Sequence, residues 1–128
     1  MANTINANVL NVGAVNYVRR WNDDATLTLI RRRRHYNNRF GSEDHDPLWD
    51  RIARQISQIN NLAVSGNQCK AKWNALKNGY ENLKRILQGN PDGYPVHHPN
   101  SYDRQFHGEL SDEFWVTNGN LLFIKFII

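Results

Sequence analysis

The feature that most constrains the fold is a helical repeat of apolar residues in the second half of the chain. Cys69, Trp73, Leu76, Tyr80, Leu83 and Leu87 recur at steps of four, three, four, three and four. Because an α-helix turns once every 3.6 residues, these side chains fall on one face of one helix. Ser65 and Gln68 have the spacing of a capping box, and Gly89-Asn90-Pro91 is typical of a helix end. The pattern predicts an amphipathic helix over about residues 66–88.

Two helices are predicted before this one from their end signals. Asn22 is a favourable N-cap and Gly41 a suitable end, so the first helix runs from about 23 to 39. Asp46 is a favoured cap, and the proline that follows it is tolerated at the first helical position. The second helix therefore begins there and ends near residues 57–60.

The rest of the chain divides around these helices. Tyr102, Phe106 and Leu110, each four residues apart, predict a short fourth helix over about 101–110. We predict a flexible N-terminal tail at 1–18, a helical domain at 19–90, a loop and accessory helix at 91–115, and an apolar tail of unassigned role at 116–128. The fold class we expect is all-α.

The predicted core has one tryptophan near the N-terminal end of each of the first three helices. A three-helix domain of about 70 residues is small, so a large aromatic side chain on each helix supplies much buried apolar area from few residues. The residues assigned to this core are Trp21, Leu29, Phe40, Trp49, Cys69, Trp73, Leu76 and Tyr80.

Composition and motifs argue against catalysis, a metal centre and a membrane span. The single cysteine, Cys69, excludes a zinc site built on two or more cysteines. His97, His98 and His107 lack the fixed spacing of a ligand set. The sequence contains neither a glycine-rich phosphate loop nor a nucleophile elbow, and no apolar run reaches the ~18 residues of a membrane-spanning helix. We predict no enzymatic activity, cofactor, metal, small-molecule substrate or membrane association.

Positive charge is concentrated in the region of the third helix. Residues 65–90 contain five basic residues and one acidic residue, whereas residues 91–128 contain two basic and five acidic residues. The whole chain has a formal net charge of +4. A local excess of this kind favours a polyanionic partner.

The side of the third helix opposite the apolar stripe carries basic, amide and small side chains. Lysine can contact phosphates or guanine, asparagine can pair with adenine, and a small side chain permits close approach to a base. The candidate DNA-binding residues are Asn67, Gln68, Lys70, Ala71, Asn74, Lys77 and Asn78, together with Arg19 and Arg20 on an N-terminal arm suited to the minor groove. A helix face that contacts only solvent has the same character, and this alternative stays open.

Four consecutive arginines occupy positions 31–34. Consecutive helical residues point in different directions, so the run does not form one basic patch. Arg33 falls near the apolar face and is expected to have an internal partner, with Asp50 or Glu81 as candidates. A role in nuclear import is an alternative for the run.

Several of these residues together resemble a known family. Their order is Trp21, Leu29-Ile30 with Arg33, Phe40, Leu48-Trp49, Gln68-Cys69-Lys70-Ala71-Lys72-Trp73, Leu76 and Tyr80. This order resembles the trihelix (GT-factor) DNA-binding domain over about residues 20–89, and residues 106–115 look similar to the helical region that follows such domains in fungal relatives. The resemblance implies a Myb/SANT-like three-helix bundle of the helix-turn-helix type with an additional C-terminal helix. Its third helix would enter the DNA major groove.

The predicted function is sequence-specific binding of double-stranded DNA by a transcriptional regulator in the nucleus. The alternative is a SANT-like module that binds other transcription or chromatin proteins, with an acidic C-terminal third and exposed Phe114 and Trp115 as its surface. A third possibility is that the acidic C-terminal region folds over the third helix and blocks it.

Overall fold

The structure is a computed structural model that describes residues 21–116, and every regular element in that range is helical. The helices are α1 (Asp23–His35), α2 (Asn37–Phe40), α3 (His45–Asn60), α4 (Gly66–Leu87) and α5 (Ser101–Leu110). The prediction of an all-α fold is confirmed for these residues. The predicted tail at 1–18, Arg19 and Arg20, and residues 117–128 of the apolar segment lie outside the described range.

The chain divides into two compact units, and the boundary between them in the sequence falls within α4. The first unit ends at Lys70 and the second begins at Ala71. The first unit therefore holds α1, α2, α3 and the start of α4, and the second holds the rest of α4, α5 and the residues after it. The predicted domain limit at residue 90 stays a prediction.

The first predicted helix is interrupted near its end. Its start is as predicted, because the Asn22 side chain accepts a hydrogen bond from the Ala25 N–H at 2.8 Å. At Tyr36, however, the backbone leaves the helical region (φ −94°, ψ 10°), so α1 and α2 replace one helix. We attribute the break to tertiary contacts: the buried Tyr36 hydroxyl accepts a hydrogen bond of 2.8 Å from Gln55 of α3.

The second predicted helix begins two residues earlier than its cap signal indicates. Asp44, not Asp46, precedes α3, so the assignment of Asp46 as the cap is wrong. His45 joins the helix because its Nε2 lies 2.7 Å from the Phe40 carbonyl oxygen and its ring packs on the Phe40 ring. Asp46 lies in the first turn instead, where its charge still favours the positive end of the helix dipole.

The start of α4 follows the predicted capping box. The Gln68 N–H donates to Ser65 Oγ at 3.1 Å, and the Ser65 N–H donates to Gln68 Oε1 at 2.9 Å. A β-carbon on Gly66 would lie 3.0 Å from the Asp50 nitrogen and 3.2 Å from the Trp49 carbonyl carbon. The first turn of α4 therefore lies against the backbone of α3, and only glycine permits this approach.

The end of α4 is also as predicted. Gly89 has a φ of +79°, and the Asn90 N–H donates to the Arg85 carbonyl at 2.7 Å, which closes the last turn. After the loop, α5 begins with a second capping box, in which Asn100 and Asp103 bond reciprocally.

The residues predicted to form the core are buried, with the exception of Trp21. The buried members are Leu29, Phe40, Trp49, Cys69, Trp73, Leu76 and Tyr80. Trp21 remains partly exposed because it lies in the extended residues before α1.

Candidate nucleic-acid interface

Burial divides α4 into two faces. Cys69, Trp73, Leu76, Tyr80 and Leu83 of the apolar stripe are buried. Leu87, at the end of the stripe, is 62% exposed, unlike the other five stripe residues. The helix ends at this residue and the chain turns away. The side chains of Asn67, Lys70, Ala71, Asn74 and Asn78 are exposed, and Gln68 and Lys77 are partly exposed. The exposed positions are those that helical periodicity assigned to the polar side of this helix.

Two of the candidate residues have contacts within the protein. Gln68 is held at the helix start, where its Oε1 accepts the Ser65 N–H. The Lys77 ammonium lies 5.8 Å from the centroid of the Trp73 ring, at the outer limit of a cation–π contact. Lys72, on the far flank of the helix, lies 4.1 Å above the Tyr102 ring of α5. Lys72 is thus engaged within the second unit.

Within the second unit, aromatic side chains cover the apolar side of α4. The Trp73 ring centroid lies 5.6 Å from that of Phe114 and 5.5 Å from that of Trp115, and Tyr80 lies 5.6 Å from Trp115. Phe114 is buried and Trp115 is partly buried. The expectation that both are exposed is wrong for Phe114, because the turn after α5 brings it back onto Trp73.

The acidic region after α4 does not cover the exposed face within this unit. Its contacts fall on other positions of the helix, such as Lys72 and Gly79, and Asn74 and Asn78 remain exposed. Within residues 71–116 this region therefore leaves Asn74 and Asn78 uncovered.

Glu113 is the acidic residue that contacts α4 most directly. Its Oε2 accepts hydrogen bonds from the Tyr80 hydroxyl at 2.6 Å and the Lys84 ammonium at 2.5 Å. The hydrogen bond from Lys84, followed by that from Tyr80, lowers the pKa of Glu113. The same pair raises the pKa of Lys84, and burial raises the pKa of Tyr80. The three groups form one cluster in which Glu113 is held as a carboxylate.

The loop between α4 and α5 is tied to α4 through its backbone. The Asn82 amide donates to the His97 carbonyl at 2.8 Å and accepts from the His97 N–H at 2.7 Å. Arg85 lies 4.9 Å from the centroid of the Tyr94 ring, and Pro99 is buried. Asn82 therefore serves the structure of the second unit, although it lies one turn from Asn78.

Arg33 is embedded beside α2. It is 9% exposed, its Nη1 donates to Asn37 Oδ1 at 2.7 Å, and its guanidinium lies 4.0 Å from the Phe40 ring centroid. Burial lowers the pKa of Arg33 to about 10. Because one arginine of the run at 31–34 is buried while Arg31 is exposed, the run does not present four cations together.

Over residues 21–116, no group of three or more His, Cys, Asp or Glu side chains could hold a metal ion. No helix in the same range is long and apolar enough to cross a membrane.

Comparison with known proteins identifies two similarities. Residues 18–107 match the Myb/SANT-like DNA-binding domain family, a range that includes α1 to α4 and most of α5. The trihelix transcription factor PTL of Arabidopsis thaliana is 32% identical over 75 residues, which are 58% of this chain and 13% of that protein. The chain thus corresponds to a small part of the curated relative. No solved structure matches it.

Proposed function

Because the chain belongs to the family of Myb/SANT-like DNA-binding domains, we propose that it binds double-stranded DNA sequence-specifically as part of a nuclear regulator of transcription. The observation that supports the proposal is the contrast between the two sides of α4. One side is buried, and the other exposes the amide, basic and small side chains of Asn67, Lys70, Ala71, Asn74 and Asn78.

In this proposal α4 enters the major groove with that face toward the bases. The groove is about 12 Å wide and admits an α-helix. Asn74 and Asn78 lie one turn apart and would pair with adenine edges, while Ala71 would contact a thymine methyl group. Lys70 would contact a phosphate or a guanine. The contacts proposed for Arg19 and Arg20 in the minor groove remain a prediction.

The first test is selection of binding sites from a random duplex library at about 50 and 200 mM salt. A short motif that is enriched at both salt concentrations supports sequence-specific binding. Binding that disappears at higher salt without a motif would indicate attraction to phosphate alone and would contradict the sequence-specific part of the proposal.

Variants of α4 then test where the DNA binds. Asn74→Ala should cost about 1–3 kcal/mol on the selected site and relax its sequence preference, because one base contact is lost. Lys70→Ala should weaken binding and reduce the slope of log K against log salt by about 0.9 if it contacts a phosphate. Matched controls are Asn38→Ala on α2 and Arg104→Ala on α5, which are exposed and lie on helices other than α4. Equal losses in the controls would contradict the assignment.

A protein-binding role is the alternative outcome. The surface expected to favour it included Phe114, but that side chain packs on Trp73. Failure of the chain to bind any duplex at either salt concentration would overturn the DNA proposal and favour this alternative.

A further inference from the structure

Lysines recur every seven residues along α4, at positions 70, 77 and 84. Seven residues of an α-helix advance about 10.5 Å and return to within about 20° of the same direction. Lys84 therefore extends the edge of the exposed face by two turns beyond Lys77. A row of cations with this spacing suits the backbone of a nucleic acid, which carries charges at regular intervals.

The third lysine of this row is paired with a carboxylate. Lys84 Nζ lies 2.5 Å from Glu113 Oε2, and their side chains are 32% and 24% exposed. Glu81 and Arg85 also act on the charge of Lys84, but the hydrogen bond to Glu113 is the strongest influence. Lys84 is thus held toward the turn after α5.

The carboxylate is placed by the backbone and not by a freely rotating side chain. Glu113 has a φ of +49°, a left-handed conformation that residues other than glycine adopt only where their surroundings impose it. The Tyr80 hydroxyl donates to the carboxylate, and the next two residues, Phe114 and Trp115, pack on Trp73. The Lys84–Glu113 pair is therefore more ordered than a typical surface ion pair.

We propose that Glu113 competes with DNA phosphate for Lys84 and thereby limits the affinity of this domain for DNA. The inference rests on the proposed function, because it assumes that α4 binds duplex DNA. A phosphate that approaches Lys84 must displace the carboxylate or remain near its like charge, and either event opposes binding. The acidic residue thus attenuates binding through one lysine while the exposed base-reading side chains remain uncovered.

The test compares Glu113→Gln, Lys84→Ala and the double variant in the full chain, with a duplex that the unmodified chain binds. In Glu113→Gln, Lys84 becomes available, so the slope of log K against log salt should steepen by about 0.9 and the affinity near 0.1 M salt should rise by up to about tenfold. In the Lys84→Ala background the same substitution should change neither quantity. Tyr80→Phe, which removes one hydrogen bond but retains the charge of Glu113, should not steepen the slope.

Thermal denaturation of each variant distinguishes a change in DNA binding caused by charge from one caused by loss of folded protein. Should Glu113→Gln lower the melting temperature, Glu113→Asn replaces it, because asparagine is also neutral and tolerates a left-handed backbone better. An unchanged slope in a folded neutral variant overturns the inference. A slope that steepens equally without Lys84 also overturns it, since the effect would then come from net charge. Failure of the unmodified chain to bind any duplex would instead refute the proposed function, so the two failures are distinguishable.

Discussion

Gly79 of α4 and Asp103 of α5 are in direct contact, and a β-carbon on Gly79 would overlap the Asp103 carboxylate. Asp103 cannot easily swing away, because it forms the capping box of α5: its carboxylate accepts the Asn100 N–H at 3.3 Å and its own N–H donates to Asn100 Oδ1 at 2.7 Å. The absence of a side chain at Gly79 therefore sets how closely α5 approaches α4 within the second unit.

The first prediction compares two glycine-to-alanine substitutions in helices. Alanine is favoured over glycine by about 1 kcal/mol in an exposed helix, and a β-carbon on Gly108 would meet nothing within 4 Å. Gly108→Ala should therefore raise the free energy of unfolding by about 0.5–1 kcal/mol in urea titrations. Gly79→Ala should instead lower it by about 1 kcal/mol, because overpacking exceeds the gain in helix propensity. Equal stabilisation by both would show that α5 does not pack at Gly79.

The second prediction separates two asparagines one helical turn apart. Asn82→Ala removes two hydrogen bonds to the His97 backbone and should cost about 1–2 kcal/mol in free energy of unfolding. Amide exchange in the loop before α5 should also become faster. Asn78→Ala, at an exposed position, should leave stability within about 0.5 kcal/mol while weakening DNA binding. A stability loss of similar size in both variants would contradict this division of roles.

Helix ends that depend only on neighbouring residues in the sequence are the parts of the fold that can be predicted. The capping box of Ser65 and Gln68 and the glycine after α4 satisfy helix ends by themselves, so both ends of α4 follow from the sequence. The break at Tyr36 and the early start at His45 depend on Gln55 and Phe40, which are distant in sequence or on another element. Helical periodicity alone does not contain that information.

The candidate site is predictable to a similar extent. Periodicity identifies the side of α4 that is exposed, because the apolar stripe defines its opposite. It does not identify the residues already engaged within the protein. Lys72 contacts Tyr102, and Phe114 contacts Trp73, only because the loop after α4 returns the chain to the same helix.

The third prediction concerns acid pH. The folded state lowers the pKa of Glu113 below its ordinary value of 4.5, chiefly through the hydrogen bond from Lys84. As the pH falls, Glu113 is therefore protonated at a higher pH in the unfolded state than in the folded state. The stability that its carboxylate contributes is present above pH 4.5 and is lost as the pH falls through the lowered pKa of the folded state. The stability difference between the unmodified chain and Glu113→Gln should shrink between pH 7 and about pH 3. Asp92→Asn, in the exposed loop, is the control, and a difference independent of pH would contradict the prediction.

The pair of Lys84 and Glu113 also predicts a loss of stability at alkaline pH. The hydrogen bond to Glu113 raises the pKa of Lys84 above 10.5 in the folded state. The stability that this pair contributes is therefore complete below pH 10.5, and it is lost as the pH rises through the raised pKa. Lys84→Ala should remove this alkaline contribution, as measured by urea titration at increasing pH. A Lys72→Ala variant, which removes a cation from a different contact, tests whether the effect is specific to Lys84.

The last prediction uses the chain's one cysteine as a reporter of unfolding. Burial, with a smaller contribution from the charge of Asp50, raises the pKa of Cys69 to about 12. At pH 8 only about one thiol in ten thousand would be ionised, and the thiolate is the reactive form. A disulfide reagent should therefore react with the folded chain at least about a hundredfold more slowly than with the chain in urea. Gly66→Ala should accelerate the reaction, because a β-carbon there would push the first turn of α4 away from Asp50 and loosen the packing around Cys69. Gly108→Ala, a substitution in open space, should not accelerate the reaction. Rapid reaction of the unmodified folded chain would show that Cys69 is not buried as described.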